Sequence, residues 1–425
     1  MKKGKKNRKI RSLILICVLS ALLLTVGTYA WFIGMQTVKV NSFEVEIAAV
    51  DGLMLSMDGV TWSTNLKADT QTAYANNANE FLKEEGEGLK PISTIGEFDA
   101  TSSRIKLYEK GSLTSTKGGY RLMASRVNNY TNKVAGGTEY LEDDGYVAFD
   151  LFVMNLSGDA YYPTNNELNE EAIYLTYDSA VTLGQADTKD YGIQNSVRVG
   201  FAQIARVNAA EYGNLDPDTD TDKIATVTGM TCAGSKDEDE NVVATGICRT
   251  AQIWEPNENT HVAGAKTWYQ TTCKARRAAQ GEEAEDGFYY KETENACVDL
   301  TNYITTNAVA GEIVHTDYVD VYDGPYNGYT ATAETLLKQV DTFTDTEKMV
   351  TGANRNKFMS LAPNSITKIR VYVWIEGQDI DNYDFASLGN AIKVNFGFTK
   401  ERITTGEIDP SITPDEDLDA EQLGS

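Results

Sequence analysis

Histidine is nearly absent from this chain of 425 residues: His261 and His315 are the only two, and they lie far apart in sequence. No HExxH occurs, so the paired imidazoles one helical turn apart that a zincin needs around its metal are missing. No C-x-x-C pair occurs either, which leaves four-ligand zinc with little support. Basic residues are also short, at 38 against 62 acidic ones and a net charge of −24. Nucleic acid and anionic lipid both require a basic face, so neither is expected as a partner. Acidity of this size keeps an exposed protein soluble and lets it collect cations. No internal repeat of fixed period is present.

What is there begins at the N-terminus. Lys2, Lys3, Lys5, Lys6, Arg8, Lys9 and Arg11 precede an apolar run from Leu13 to Val26. A basic head before an apolar run is an export signal, and the positive end stays cytoplasmic, so everything after it is expected on the outer side. Thr28 and Ala30 are small residues where a signal peptidase would need them, which predicts cleavage between Ala30 and Trp31. The alternative is an uncut N-terminal membrane anchor, because the apolar character runs on to Met35 and approaches the length of a spanning helix. Without the leader the chain has 31 basic and 62 acidic residues.

Cys17 lies in the leader, leaving Cys232, Cys248, Cys273 and Cys297 in a compartment where disulfides persist. Four cysteines allow three pairings. Loop closure favours near neighbours, so Cys232 is expected to pair with Cys248, and Cys273 with Cys297.

Period-two alternation dominates the exported part. Val38 and Val40, then Phe43, Val45 and Ile47, alternate with polar residues, and Asp51-Gly52 and Asp58-Gly59 punctuate a further run through Leu53, Leu55 and Met57. Residues 64–90 turn polar, and pairing resumes near Arg104. Strands follow at Tyr146–Val153, Ile173–Tyr177 and Ser196–Val207. Ile369, Val371, Val373 and Ile375 make one face of another strand whose second face carries Tyr372 and Trp374, so both faces are expected to be buried. Ile392, Val394, Phe396 and Phe398 make the last strand. Runs of strands with scarce helix predict an all-β fold, an antiparallel β-sandwich of jelly-roll or immunoglobulin-like outline with long disulfide-bearing insertions.

The expected organisation is a signal peptide or anchor over residues 1–30, a sandwich over 31–402 interrupted by an insertion at about 208–345, and an acidic disordered tail over 403–425. One short helix is expected at Thr332–Val340. The tail has neither a second apolar span nor an LPxTG-like sortase signal, so any tether is expected at the N-terminus.

Two acidic sets are candidate calcium sites, since calcium takes six to eight oxygens. Asp216, Asp218, Asp220 and Asp222 open like an EF-hand loop, but Thr221 stands where the loop needs glycine and Val227 where it needs glutamate. A solvated acidic loop is the competing reading. Glu376, Asp379, Asp381 and Asp384 form the candidate calcium set, with a tight turn bonded through Asp side chains as its rival. No cofactor other than calcium is expected. The aromatic residues Trp254, Trp268, Tyr269, Tyr289 and Tyr290 suit either a binding face or packing beneath loops.

Several segments resemble a known group of proteins: the leader ending TYAWF at residues 28–32, GLMLSMDG at 52–59 with Trp62, and YVAFDLFVMN at 146–155. They are similar to exported Gram-positive proteins with a SipW-type signal peptide, the group of camelysin and biofilm-matrix fibre subunits. SVRVGF at 196–201, IWEPN at 253–257 and VWIEGQD at 373–379 look like an uncharacterised long branch near that group. The resemblance implies a jelly-roll-like sandwich, extracellular or surface-attached, in some members polymerising into fibres. Residues and resemblance together predict a non-catalytic surface or secreted interaction protein. Its expected partners are other surface proteins or itself, with membrane contact only through an uncut N-terminal segment. Residues 208–300 are the expected contact surface. The alternatives are a fibre subunit that adds its N-terminal strand to a neighbour's sheet, and an extracellular hydrolase with converging acids.

Overall fold

A computed structural model describes residues 39–47, 52–68, 89–94, 96–112, 122–126, 145–157, 160–176, 178–184, 190–256, 262–265, 357–377, 379, 381–382 and 391–400. The strands of the first half are β1 (Lys39–Ile47), β2 (Leu53–Ser56), β3 (Asn65–Ala68), β4 (Pro91–Ser93), β5 (Phe98–Asp99), β6 (Arg104–Ile105), β7 (Tyr108–Ser112), β8 (Leu122–Arg126) and β9 (Val147–Asn155). The second half contributes β10 (Glu171–Leu175), β11 (Ala180–Leu183), β12 (Val197–Asn208), β13 (Ser235–Lys236), β14 (Val242–Gly246), β15 (Gln252–Trp254), β16 (Met359–Leu361), β17 (Ser365–Glu376) and β18 (Ala391–Thr399). Two short helices, α1 (Ala209–Tyr212) and α2 (Thr221–Thr228), sit in the stretch that follows β12.

The expected all-β fold is what forms. The larger sheet is organised on β17, which pairs antiparallel with β12 along one edge and with β9 along the other; β2 extends it beyond β9. The smaller sheet runs β16-β10-β18-β1-β3, with β11 also on β18. Two ladders are parallel rather than antiparallel: β1 on β18, from Lys39↔Ala391 to Ile47↔Phe398, and β4 on the end of β17. These partners are far apart in sequence, so no hairpin turn dictates their direction.

Alternation along β17 decides what each face does. Ile369, Val371, Val373 and Ile375 point into the core between the sheets, beside Phe149, Leu151 and Val153 of β9 and Val197, Val199 and Phe201 of β12. From the smaller sheet come Ile173, Leu175, Ile392, Val394, Phe396 and Phe398. Phe201 anchors the contact: its ring meets those of Phe358 and Phe396 edge-on at 5.0 Å each, and that of Phe398 at 5.7 Å. Each such side chain contributes about 2–3 kcal/mol by leaving water.

The other face of β17 carries Ile366, Lys368, Arg370, Tyr372 and Trp374, and it too is buried. A second apolar cluster covers it, built from Ile105, Leu107, Tyr146, Phe152, Ile204, Tyr212, Val227, Met230 and Ile253 among others. Both faces of the strand are therefore shielded, as its continuous apolar and aromatic pattern implies.

Candidate interaction surface

The stretch after β12 is an excursion that leaves at Asn208 and comes back along the edge it left. β12 is twelve residues long, and its edge opposite β17 would be left with unpaired peptide groups. The returning chain pairs them. β14 pairs at Ala205↔Gly246 and Arg206↔Thr245, Ile247 N donates to Ile204 O and Cys248 N to Gln203 O, and β15 pairs at Val199↔Trp254, Gly200↔Ile253 and Phe201↔Gln252. Residues 208–256 thus continue the larger sheet as well as decorating it. Composition could not show this, because β13–β15 are short and only partly apolar.

Covalent and charged fastenings hold the excursion. Cys232 and Cys248 form the expected disulfide, with Cα atoms 5.4 Å apart. Closing a loop of 16 residues is worth about 3 kcal/mol in chain entropy. Gly246 makes room for it, since a Cβ there would stand 1.9 Å from the Cys232 carbonyl oxygen. The Cys232 amide also donates to Ser103 Oγ at 2.9 Å, tying the bridge to the β5–β6 turn. Cys273 and Cys297 lie outside the described residues.

The second fastening is Lys368. Its ammonium donates to the carbonyl of Thr228, the last residue of α2, and lies 3.2 Å from Asp150 Oδ2. An eight-residue helix does not hold by itself, and a buried cation on its final carbonyl complements the helix dipole. Asp150 is also gripped by Arg370, Nε to Oδ1 at 2.7 Å and Nη2 to Oδ2 at 2.9 Å. Burial alone would raise the Asp150 pKa, but the charges and hydrogen bonds of Arg370 and Lys368 outweigh it and hold the carboxyl at about 2.

The third is Glu170. Arg206 Nη1 reaches its Oε1 at 2.5 Å, and Arg249 takes both oxygens at 2.6 Å while also donating to Asn165. Burial opposes ionisation of Glu170, and the two guanidinium groups overcome it, so its pKa is lowered. A bulge between Gln203 and Ala205 puts Arg206 on the sandwich side, opposite Thr367, whereas Arg198 faces outward, opposite Trp374. Simple alternation along β12 would have placed both arginines on one face.

The candidate calcium residues fall at the far end of β17. Asp379 accepts from Arg198 Nη2 at 2.7 Å, and Glu255 pairs with the same guanidinium. Glu376 Oε2 accepts from Trp374 Nε1 at 3.3 Å, and Asp379 Oδ1 accepts the Asp381 amide at 2.8 Å, which is the Asp-bonded turn. Glu376 and Asp381 are fully buried. Asp384 lies outside the described residues. Among the described residues, no group of three or more His, Cys, Asp or Glu is placed to hold a metal ion. The partnership of Arg198 with Glu255 and Asp379 was not visible in the sequence, because its members are separated by 57 and 181 positions.

In the earlier acidic set, Asp218 N donates to Asp216 Oδ1 and Asp216 N to Asp220 Oδ2, both at 2.9 Å, so these residues build the turn that starts α2. Trp254 is fully buried in the sandwich core. The other insertion aromatics, with Ala30, Trp31, the helix expected at Thr332–Val340 and the tail, lie outside the described residues. Among the described residues no helix is long and apolar enough to cross a membrane.

What faces solvent is acidic. Between Asn208 and Gly246 stand Glu211, Asp216, Asp218, Asp220, Asp222, Asp237, Glu238, Asp239 and Glu240, against Lys223 and Lys236 alone, a net charge of −7. Lys236 is taken by Glu240 at 2.9 Å. Between α2 and β13 the surface sinks into an open groove of about 340 Å³.

No family model, curated protein or solved structure matches this chain. The residues themselves carry the functional reading.

Proposed function

We propose that the chain is an exported, non-catalytic interaction protein, secreted or held at the cell surface, whose sandwich presents the acidic excursion of residues 208–256 to a partner. The observation that carries this reading is the Cys232–Cys248 bridge. Structural disulfides are rare in reducing compartments and persist in oxidising ones, which supports export together with the basic head and apolar run of residues 2–26. The resemblance to exported Gram-positive proteins with a SipW-type leader points the same way. N-terminal sequencing of the natural product tests it. A start at Trp31, or an intact Met1 region in a membrane fraction with residues 208–256 accessible from outside, supports the proposal. An intact Met1 region in soluble cytosolic protein contradicts it.

A second reading is favoured by one observation: β1, close behind the leader, lies parallel to β18 and, among the described residues, alone carries β3 on that sheet. A strand attached in this way can pair with the equivalent edge of a neighbour, making the chain a fibre subunit. Size-exclusion chromatography and electron microscopy of protein starting at Trp31 separate the readings. Monomers at high concentration favour display, and filaments favour assembly.

A further inference from the structure

We infer that the groove between α2 and β13 is a docking site for a cationic, amphipathic peptide segment of another exported protein, an assignment that rests on the display reading. One wall is the exposed side of α2, with Asp222, Ala225 and Thr226, and the other is β13 with Ser235. Met230 and Ala244, both almost fully buried, form an apolar floor. Both walls are fixed before any partner arrives: the last carbonyl of α2 by Lys368, and the start and end of the β13–β14 hairpin by the Cys232–Cys248 bridge. A preformed groove saves the ordering cost that a mobile loop would incur on binding.

Charge selects the occupant. Asp222 opens into the groove, Asp216, Asp218 and Asp220 lie beyond one end of α2, and Asp237, Glu238, Asp239 and Glu240 form the tip of the hairpin that supplies the other wall. An anionic segment would meet like charge from both sides, and a neutral apolar one would gain only the small floor. A lysine- or arginine-bearing segment fits both features, its aliphatic stems and apolar neighbours on Met230 and Ala244 and its charged ends toward Asp222 and the rim.

The test is calorimetric titration of the oxidised protein with a five-residue peptide alternating lysine and leucine, and with the same peptide carrying glycine for leucine. Thr226→Arg plugs the groove and Asp222→Asn removes its own carboxylate. Asp178→Asn alters charge by the same amount as either but lies between β10 and β11, away from the groove and its acidic rim. Saturable binding is expected, weakened about tenfold by Thr226→Arg, about threefold by Asp222→Asn and less than about twofold by Asp178→Asn. The glycine peptide should bind about fivefold more weakly than the leucine one. Equal losses in all three variants, or no saturable binding to the unaltered protein, overturn the assignment. An epitope inserted at Glu238 separates the two levels of the argument. If antibody reaches it on intact cells while the peptide does not bind, only the partner class falls. If antibody reaches it only after lysis, the display reading falls with it.

Discussion

On the inner side of β17, Ile369, Val371, Val373 and Ile375 lie among other apolar side chains of the sandwich, whereas on the outer side Lys368 and Arg370 share the carboxylate of Asp150 beneath the excursion. The two faces are equally buried but are specified differently. The inner face is held by area and shape, which many side chains of similar volume would supply. The outer face adds to its apolar cluster a set of directional pairs, each of which leaves a stranded charge if one member is lost. The inner face therefore makes the sandwich, and the outer face decides where the excursion docks.

The largest break should come from the inner face. Phe201→Ala removes the ring at the centre of the aromatic cluster and should cost about 4 kcal/mol in denaturant unfolding, with the whole sandwich affected. Asp150→Ala comes next. It leaves Arg370 and Lys368 buried without their carboxylate and should cost about 3 kcal/mol. A triple replacement of Asp150, Lys368 and Arg370 by Leu, Met and Met should recover most of that stability while loosening α2, which then lacks its cation. Recovery without loosening would show that the charges do not place the excursion.

Removing the disulfide sharpens the contrast between regions. Cys232→Ser with Cys248→Ser should cost about 2–3 kcal/mol, with hydrogen exchange rising across residues 208–256 while the amides of β9 and β17 stay protected. A uniform rise would mean that excursion and sandwich form one cooperative unit. The smallest expected effect is acid sensitivity. Asp150 is depressed in the folded protein, so its contribution is complete above about pH 4 and is lost as pH falls toward 2, roughly 2 kcal/mol in all. Glu170 and Glu171 are lowered as well and act in the same direction. Stability that stays flat between pH 5 and pH 2 would contradict these pairings.

The strands that build the sandwich were legible because one face of each is apolar, so period two appears directly in β9, β12, β17 and β18. The Cys232–Cys248 bridge was legible too, because the two cysteines are near neighbours in sequence. What escaped depends on partners distant in the chain. α2 has Val227 as its one fully buried side chain and follows an aspartate run that reads as loop. β14 and β15 exist because β12 needs edge partners, which no local pattern reveals. The bulge after Gln203 reverses the side on which Arg206 emerges, and sequence spacing alone would have misplaced it. Within the candidate calcium set, the Asp-bonded turn at Asp379 and Asp381 was foreseen as the rival reading, but the claim of Arg198 on Asp379 was not.

The central claim, that this chain is a sandwich exported to an oxidising exterior to present a disulfide-closed lobe, is tested most directly by mass spectrometry of protein alkylated at harvest from separate surface, medium and cytosolic fractions. The account predicts a Cys232–Cys248 cross-linked peptide in protein recovered outside the membrane. Both cysteines fully alkylated, in protein found in the cytosol, would contradict it.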